Sequence, residues 1–137
     1  MATPGATTPS HEVRVTVACT EDVVQARQQG RNLAVSLGFS PSEATLMAAA
    51  ISELARNIVR YADHGEISMH VSPDGMLFVV ARDQGPGISD MQSALRSGYS
   101  TSGGLGLGLP GVRRIADHFE IVSNSSGTTV TLGKRRR

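Results

Sequence analysis

Along the chain, apolar and polar positions alternate first with the period of a strand and then with that of a helix. In "HEVRVTVACT" Val13, Val15 and Val17 fall on one face, which predicts a half-buried strand. Cys19 continues the alternation and reads as a buried strand thiol rather than a nucleophile. "EDVVQARQQGRNLAVSLG" then sets Val23, Ala26, Gly30, Leu33 and Leu37 at helical spacing and ends at Gly38, a C-cap residue. Ser40-Pro41-Ser42-Glu43 combines a capping box with proline at the first helical position, so a second helix opens there. Its core stripe runs through Met47, Ile51, Leu54 and Ile58.

Two strands follow, "GEISMHVS" and "GMLFVVARD", joined by the turn residues Ser72-Pro73-Asp74-Gly75. A polar, glycine-punctuated stretch contains one short helical candidate, Asp90 to Arg96. Another helix starts near Pro110, with Val112, Ile115 and Phe119 on one side. "FEIVSNSSGTTVTLG" closes the chain as a hairpin through Ser125-Ser126-Gly127. The order strand, helix, helix, hairpin, helix, hairpin predicts an α+β sandwich with helices over one face of a mixed sheet.

Bulk properties narrow the function classes. With 137 residues the chain is one domain with a proper core. Three Phe, two Tyr and no Trp leave that core to Val, Leu, Ile, Ala and Met. A net charge of +1 gives no general case for nucleic acid. The basic cluster Lys134-Arg135-Arg136-Arg137 reads as a solvated tail, and residues 1–10, "MATPGATTPS", as a flexible leader without signal-peptide regions. A single cysteine excludes an intramolecular disulfide framework and a Cys-based metal cluster. No apolar run reaches membrane-spanning length, and a cytoplasmic protein is expected.

Three stretches carry chemistry. Glu53 and Asn57 in "ELARNIVRYA" project from the same side of a helix, flanking its apolar stripe. Alone they read as a surface polar pair. Facing a cleft, the Asn oxygen suits Mg²⁺ and the Glu carboxylate suits proton abstraction from a hydroxyl or water. In "DQGPGI", Asp83 ends a strand and is followed by Gly85 and Gly87. This is either a Gly-Pro turn that starts with Asp, or a carboxylate that receives an exocyclic amine beside glycines that admit a flat ring. In "TSGGLGLGLPGV" five glycines run into a helix start, a place where bare backbone N–H groups meet anions. Gly106, Gly108 and Gly111 match G-x-G-x-x-G, but no strand precedes them and no acidic residue lies near twenty positions on, so a dinucleotide fold is excluded. A Walker A loop is excluded because no Gly-Lys-Ser/Thr follows. A phosphate-binding lid of another type remains.

Taken together and in this order, "ELARN", "DQGPGI", "GGLGLGL" and the terminal "GTTV" resemble the N, G1, G2 and closing boxes of the GHKL ATPase superfamily, which includes gyrase B, sensor histidine kinases and MutL. The wording of "ISELARNIVRYA" and "STSGGLGLGLPGVRRIAD" is most similar to the RsbT-type switch kinases of its anti-sigma regulatory branch. The resemblance covers roughly residues 11 to 133. It implies the Bergerat-type ATP-binding fold, a two-layer α/β sandwich whose mixed, mostly antiparallel sheet is covered on one face by helices. It also implies ATP and Mg²⁺ as ligands, Asn57 as the metal ligand and Glu53 as the catalytic base. Asp83 would meet the adenine amine, with Gly85 and Gly87 shaping the pocket. Gly104, Leu105, Gly106, Leu107 and Gly108 would surround the triphosphate, and Thr128 would lie near the adenine. Arg96 and Arg60 are candidates for a phosphate-grasping arginine. The implied activity is that of an ATP:protein serine/threonine kinase acting on a STAS-domain antagonist in a stress-response pathway, after which a PP2C-type phosphatase is activated. Two other classes stand beside it: an anti-sigma factor that sequesters a sigma subunit, and a nucleotide-sensing scaffold, against which the presence of a base at Glu53 argues.

Overall fold

The computed structural model describes residues 12–85 and 108–136. Strand β1 (Val13–Val17) leads into helices α1 (Thr20–Ser36) and α2 (Pro41–Tyr61). Strands β2 (Gly65–Val71) and β3 (Leu77–Asp83) follow, then helix α3 (Gly108–Ile115) and strands β4 (His118–Asn124) and β5 (Gly127–Lys134). The five strands form one sheet in the order β1-β2-β3-β5-β4. Every pairing is antiparallel. The described sheet is therefore antiparallel rather than mixed: β2–β3 and β4–β5 are hairpins, β1 and β2 are joined through the two helices, and β3 meets β5 across the sheet.

Register explains the core. Val15, Ile67, Ala81, Val130 and Ile121 form one rung across all strands, and Val13, Met69, Val79, Leu132 and Phe119 form another. Side chains alternate across a strand, so both rungs point to the same face. They pack against the apolar stripe of α2, where Met47, Ile51, Leu54 and Ile58 are fully buried, and against Leu109 and Val112 of α3. Helix α1 lies alongside α2 so closely that a Cβ on Gly30 would stand 2.1 Å from Ile51 Cδ1. No helix among the described residues is long and apolar enough to cross a membrane.

Local chemistry sets the ends of the elements. The Ser40 hydroxyl accepts the N–H of Glu43 at 3.2 Å while Glu43 Oε1 accepts the Ser40 N–H at 3.3 Å, the expected capping box, with Pro41 in the first turn. Gly38 takes φ +90° just past α1, the left-handed conformation that glycine adopts without steric cost. In the turn between β2 and β3, the hydroxyl of Ser72 donates to Asp74. That bond, helped by nearby Arg135, holds the Asp74 carboxyl below its ordinary range.

Three expectations need correction. Cys19 is exposed at the N-cap of α1, not buried in a strand: β1 stops at Val17, and Asp22 Oδ2 accepts the Ala18 N–H at 2.8 Å to turn the chain into the helix. Helix α3 begins at Gly108 and ends at Ile115, so Phe119 packs on the core from β4 rather than from the helix. The basic cluster is not a free tail over its described part. Lys134, the last residue of β5, pairs with Leu77 and is only 6% exposed. Beyond it, the Arg135 N–H donates to Asp117 Oδ2 at 2.8 Å and Arg136 Nη1 to the Leu37 carbonyl at 3.0 Å.

Candidate nucleotide site

One further rung continues the two apolar ones toward the end of the sheet: Val17, Gly65, Asp83, Thr128 and Ser123. It points to the same helical face, yet it is polar where the others are apolar. Asp83 and Thr128 thus stand under the C-terminal half of α2, where Asn57, Tyr61, Leu54 and Ile58 complete a narrow cleft with them. One predicted residue from each of the N, G1 and closing boxes, Asn57, Asp83 and Thr128, meets the others here. The free space among them is about 10 Å³, room for one water between polar groups.

The polar groups are fixed by backbone. Asp83 Oδ1 accepts the Gly85 N–H at 3.0 Å and the Thr128 N–H at 3.3 Å. Thr128, almost fully buried, shares a 2.7 Å hydroxyl contact with Ser123. Two glycines let neighbouring backbone close in on the end of β3. A Cβ on Gly65 would lie 2.3 Å from the Arg82 carbonyl oxygen and 3.1 Å from Asp83 Cβ, and one on Gly127 would lie 2.2 Å from the Asp83 carbonyl oxygen. At Gly85 a Cβ would stand 2.6 Å from the Tyr61 carbonyl oxygen and 2.7 Å from Ala62 Cβ. Its bareness lets the strand end press against the end of α2. Beside that junction an open groove of about 520 Å³ runs past Arg60, Tyr61, Ala62, His64 and Gly85.

Glu53 lies one helical turn before Asn57 and is 2% exposed. Its Oε1 faces Arg56 Nη2 at 3.4 Å. Asn57 is half-buried. Gly108, with φ +69°, is the buried first residue of α3, and α3 packs against α2. Gly87, Arg96, Gly104, Leu105, Gly106 and Leu107, together with the Asp90–Arg96 helix candidate, lie outside the described residues.

The family model of the histidine kinase-like ATPase domain matches residues 16–134. The chain belongs to this family. Among its relatives, the serine/threonine-protein kinase RsbT of Bacillus subtilis (strain 168) is 50% identical over 105 residues, covering 74% of this chain and 79% of RsbT. That identity over most of both chains makes this histidine kinase-like ATPase domain a serine/threonine-protein kinase of the RsbT type that uses ATP. Solved structures of low identity share the fold. The RsbU and RsbW domains of a Mycobacterium tuberculosis protein superpose with a TM-score of 0.69 at 20% identity, covering 93% of this chain and 33% of that one, so this domain spans about a third of that protein. The SiaB–SiaC complex of Pseudomonas aeruginosa gives a TM-score of 0.63 at 17% identity, covering 90% of this chain and 88% of that one.

Sequence reasoning passed over Gly65, Ser123 and Arg56, and read Gly127 only as a turn residue and the start of the closing box. The glycines carried a signal in hindsight, since each opens a strand, where glycine is otherwise unfavourable. Ser123 and Arg56 carried none, because their importance depends on which neighbours the fold supplies.

Proposed function

We propose that the chain, in the cytoplasm, transfers the γ-phosphate of ATP to a serine or threonine of a STAS-domain protein in a partner-switching pathway, and that it then activates a PP2C-type phosphatase. The observation that carries this reading is the meeting of Asn57, Asp83 and Thr128 in one cleft, with Glu53 one turn along the same helix. The kinship to RsbT supports the choice of a protein hydroxyl as acceptor.

In this reading Asp83 takes the adenine amine. Its Oδ1 is held by two backbone N–H groups, so the carboxylate is oriented before any ligand arrives. The bare backbone around Gly85, and Gly87 beyond it, borders the ring, and Thr128 closes the cleft floor. Gly104, Leu105, Gly106, Leu107 and Gly108 surround the triphosphate, with the start of α3 offering N–H groups to it. Arg60, half-buried one turn past Asn57, also borders the open groove beside Gly85, from which in this reading it would reach the phosphates.

The donor set fits a magnesium ion that comes with the phosphates. Among the described residues no group of three or more His, Cys, Asp and Glu could hold a metal unaided. The neutral amide oxygen of Asn57 suits an ion that keeps several waters and shares its coordination with phosphate oxygens. Bound there, the ion neutralises charge on the transferring phosphoryl group. Glu53 accepts the proton of the acceptor hydroxyl as its oxygen bonds to the γ-phosphorus and the bond to the bridging oxygen of ADP breaks.

The test is single-turnover transfer from γ-labelled ATP to a panel of purified STAS-domain proteins. Label on a Ser or Thr of one of them is expected. Hydrolysis of ATP with no label on any STAS protein would remove the substrate assignment while leaving the nucleotide site standing.

A further inference from the structure

Glu53 sits between two different surroundings. At about 100° per residue around the helix, Asn57, Leu54 and Tyr61 turn one way, toward the cleft of Asp83. Arg56, Arg60 and Ser52 turn the other way, where they line a second hollow of about 320 Å³ between α1 and α2. Val23, Val24 and Val59 form its apolar part, and Arg27, Arg56 and Arg60 its charged part. No acidic side chain lines it among the described residues. Val24 is 51% exposed, a large apolar surface for a helix side chain with no cover among them.

Arg56 belongs to both surroundings. One end of its guanidinium reaches Glu53 Oε1 at 3.4 Å, long for a charge-assisted bond, which is usually about 2.7–2.9 Å. Its Nε is buried and has no hydrogen-bond partner. A buried donor left unpaired is costly, and a guanidinium is shaped to take a carboxylate on two N–H groups at once. The arginine is thus held by the base over a long contact, and it lines a hollow that lacks negative charge.

We propose that the hollow between α1 and α2 docks a segment of the acceptor protein bearing an acidic side chain beside an apolar one, and that Arg56 is a positioning residue coupling this docking to the base. With the hollow empty, Arg56 rests on Glu53. The incoming carboxylate takes the guanidinium, the apolar side chain covers Val24, and Glu53 is freed to accept the hydroxyl proton. The inference rests on Glu53 being the base, as proposed above. It explains how a buried carboxylate is kept from serving water until a protein acceptor is present.

Two variants test it, each measured for acceptor KM and kcat, for ATP affinity and for basal ATP hydrolysis without acceptor. Arg27→Glu, on the exposed face of α1, reverses one charge of the hollow without touching Glu53, and is expected to raise the acceptor KM roughly tenfold. Arg56→Ala is expected to raise KM as well, and to raise basal hydrolysis severalfold because the base is no longer held. Poly-L-glutamate, used as an acidic probe, is expected to stimulate basal hydrolysis of the wild type and not of Arg56→Ala. The proposal is overturned if Arg27→Glu leaves KM unchanged, if it weakens ATP instead, or if Arg56→Ala lowers hydrolysis and transfer alike at constant KM. Basal hydrolysis and the probe need no acceptor, so they read Arg56 even if no STAS-domain protein is labelled. Loss of hydrolysis in Glu53→Gln separates the role of the base from that of the hollow.

Discussion

Asp83 and Thr128 face each other across β3 and β5, and the Thr128 N–H donates to Asp83 Oδ1 at 3.3 Å while the Gly85 N–H donates to the same oxygen at 3.0 Å. One carboxylate oxygen therefore belongs to the fold, and in the proposed reading the other meets the adenine amine. Adenine presents an amine to that oxygen, whereas guanine presents a carbonyl oxygen, and two acceptors facing each other leave a desolvated group unpaired. A site of this kind discriminates by as much as about 10⁴-fold. Wild type is expected to prefer ATP over GTP strongly. Asp83→Asn keeps an oxygen for the two backbone donors and turns an amide N–H₂ to the ligand, so the preference should shrink and overall affinity fall. Calorimetric titration with both nucleotides checks this, and equal binding of ATP and GTP by the wild type would reduce Asp83 to a turn residue.

Gly85→Ala addresses the support of that carboxylate. The new methyl would stand 2.6 Å from the Tyr61 carbonyl oxygen and 2.7 Å from Ala62 Cβ, contacts that only a shift of backbone relieves. Overpacking of this kind costs about 1–3 kcal/mol. Chemical denaturation should show that loss, and ATP affinity should fall with it because the Gly85 N–H that orients Asp83 moves. Unchanged stability would mean that the end of β3 and the end of α2 separate easily.

Much of the architecture was legible because single residues carried it. Ser40 and Glu43 three apart announced the start of α2, and Gly38 the end of α1. The alternation of valines marked β1, although it ran on to Cys19 past the real end of the strand, since periodicity does not register that Asp22 captures the Ala18 N–H. Phe119 matched the helical spacing of Val112 and Ile115, yet only tertiary pairing with Leu132 decides that it is in a strand. The site itself was legible as separate motifs whose convergence follows from register: Asp83 opposite Gly65 on one side and Thr128 on the other. Arg56 was not legible, because what distinguishes it is an unfilled donor and a neighbour, Glu53, that is buried.

Asn57→Ala is expected to weaken ATP binding chiefly in the presence of Mg²⁺. In the proposed site the amide oxygen is the neutral ligand beside the cleft, and Mg²⁺ uses few protein ligands, so the loss of one counts. Nucleotide affinity should be titrated against Mg²⁺ for wild type and variant. Parallel curves would show that Asn57 makes no contact with the ion.

Glu53→Gln separates binding from chemistry. The side chain is 2% exposed and packs beside Arg56, so replacing it by alanine would leave a void and an unpaired guanidinium, whereas glutamine keeps the volume and an oxygen for Arg56. Thermal stability is expected to stay near that of the wild type. ATP affinity should also hold, because Asp83 and Asn57 are untouched. The amide, however, does not accept a proton, and loss of a positioned base typically lowers the rate by about 10²–10⁴-fold. Single-turnover transfer, with the label followed both to acceptor and to free phosphate, measures the chemical step apart from product release. A fall in both channels at constant affinity assigns the proton to Glu53. Transfer at the wild-type rate would show that the acceptor hydroxyl loses its proton elsewhere, and the buried carboxylate would then serve only to hold Arg56 in place.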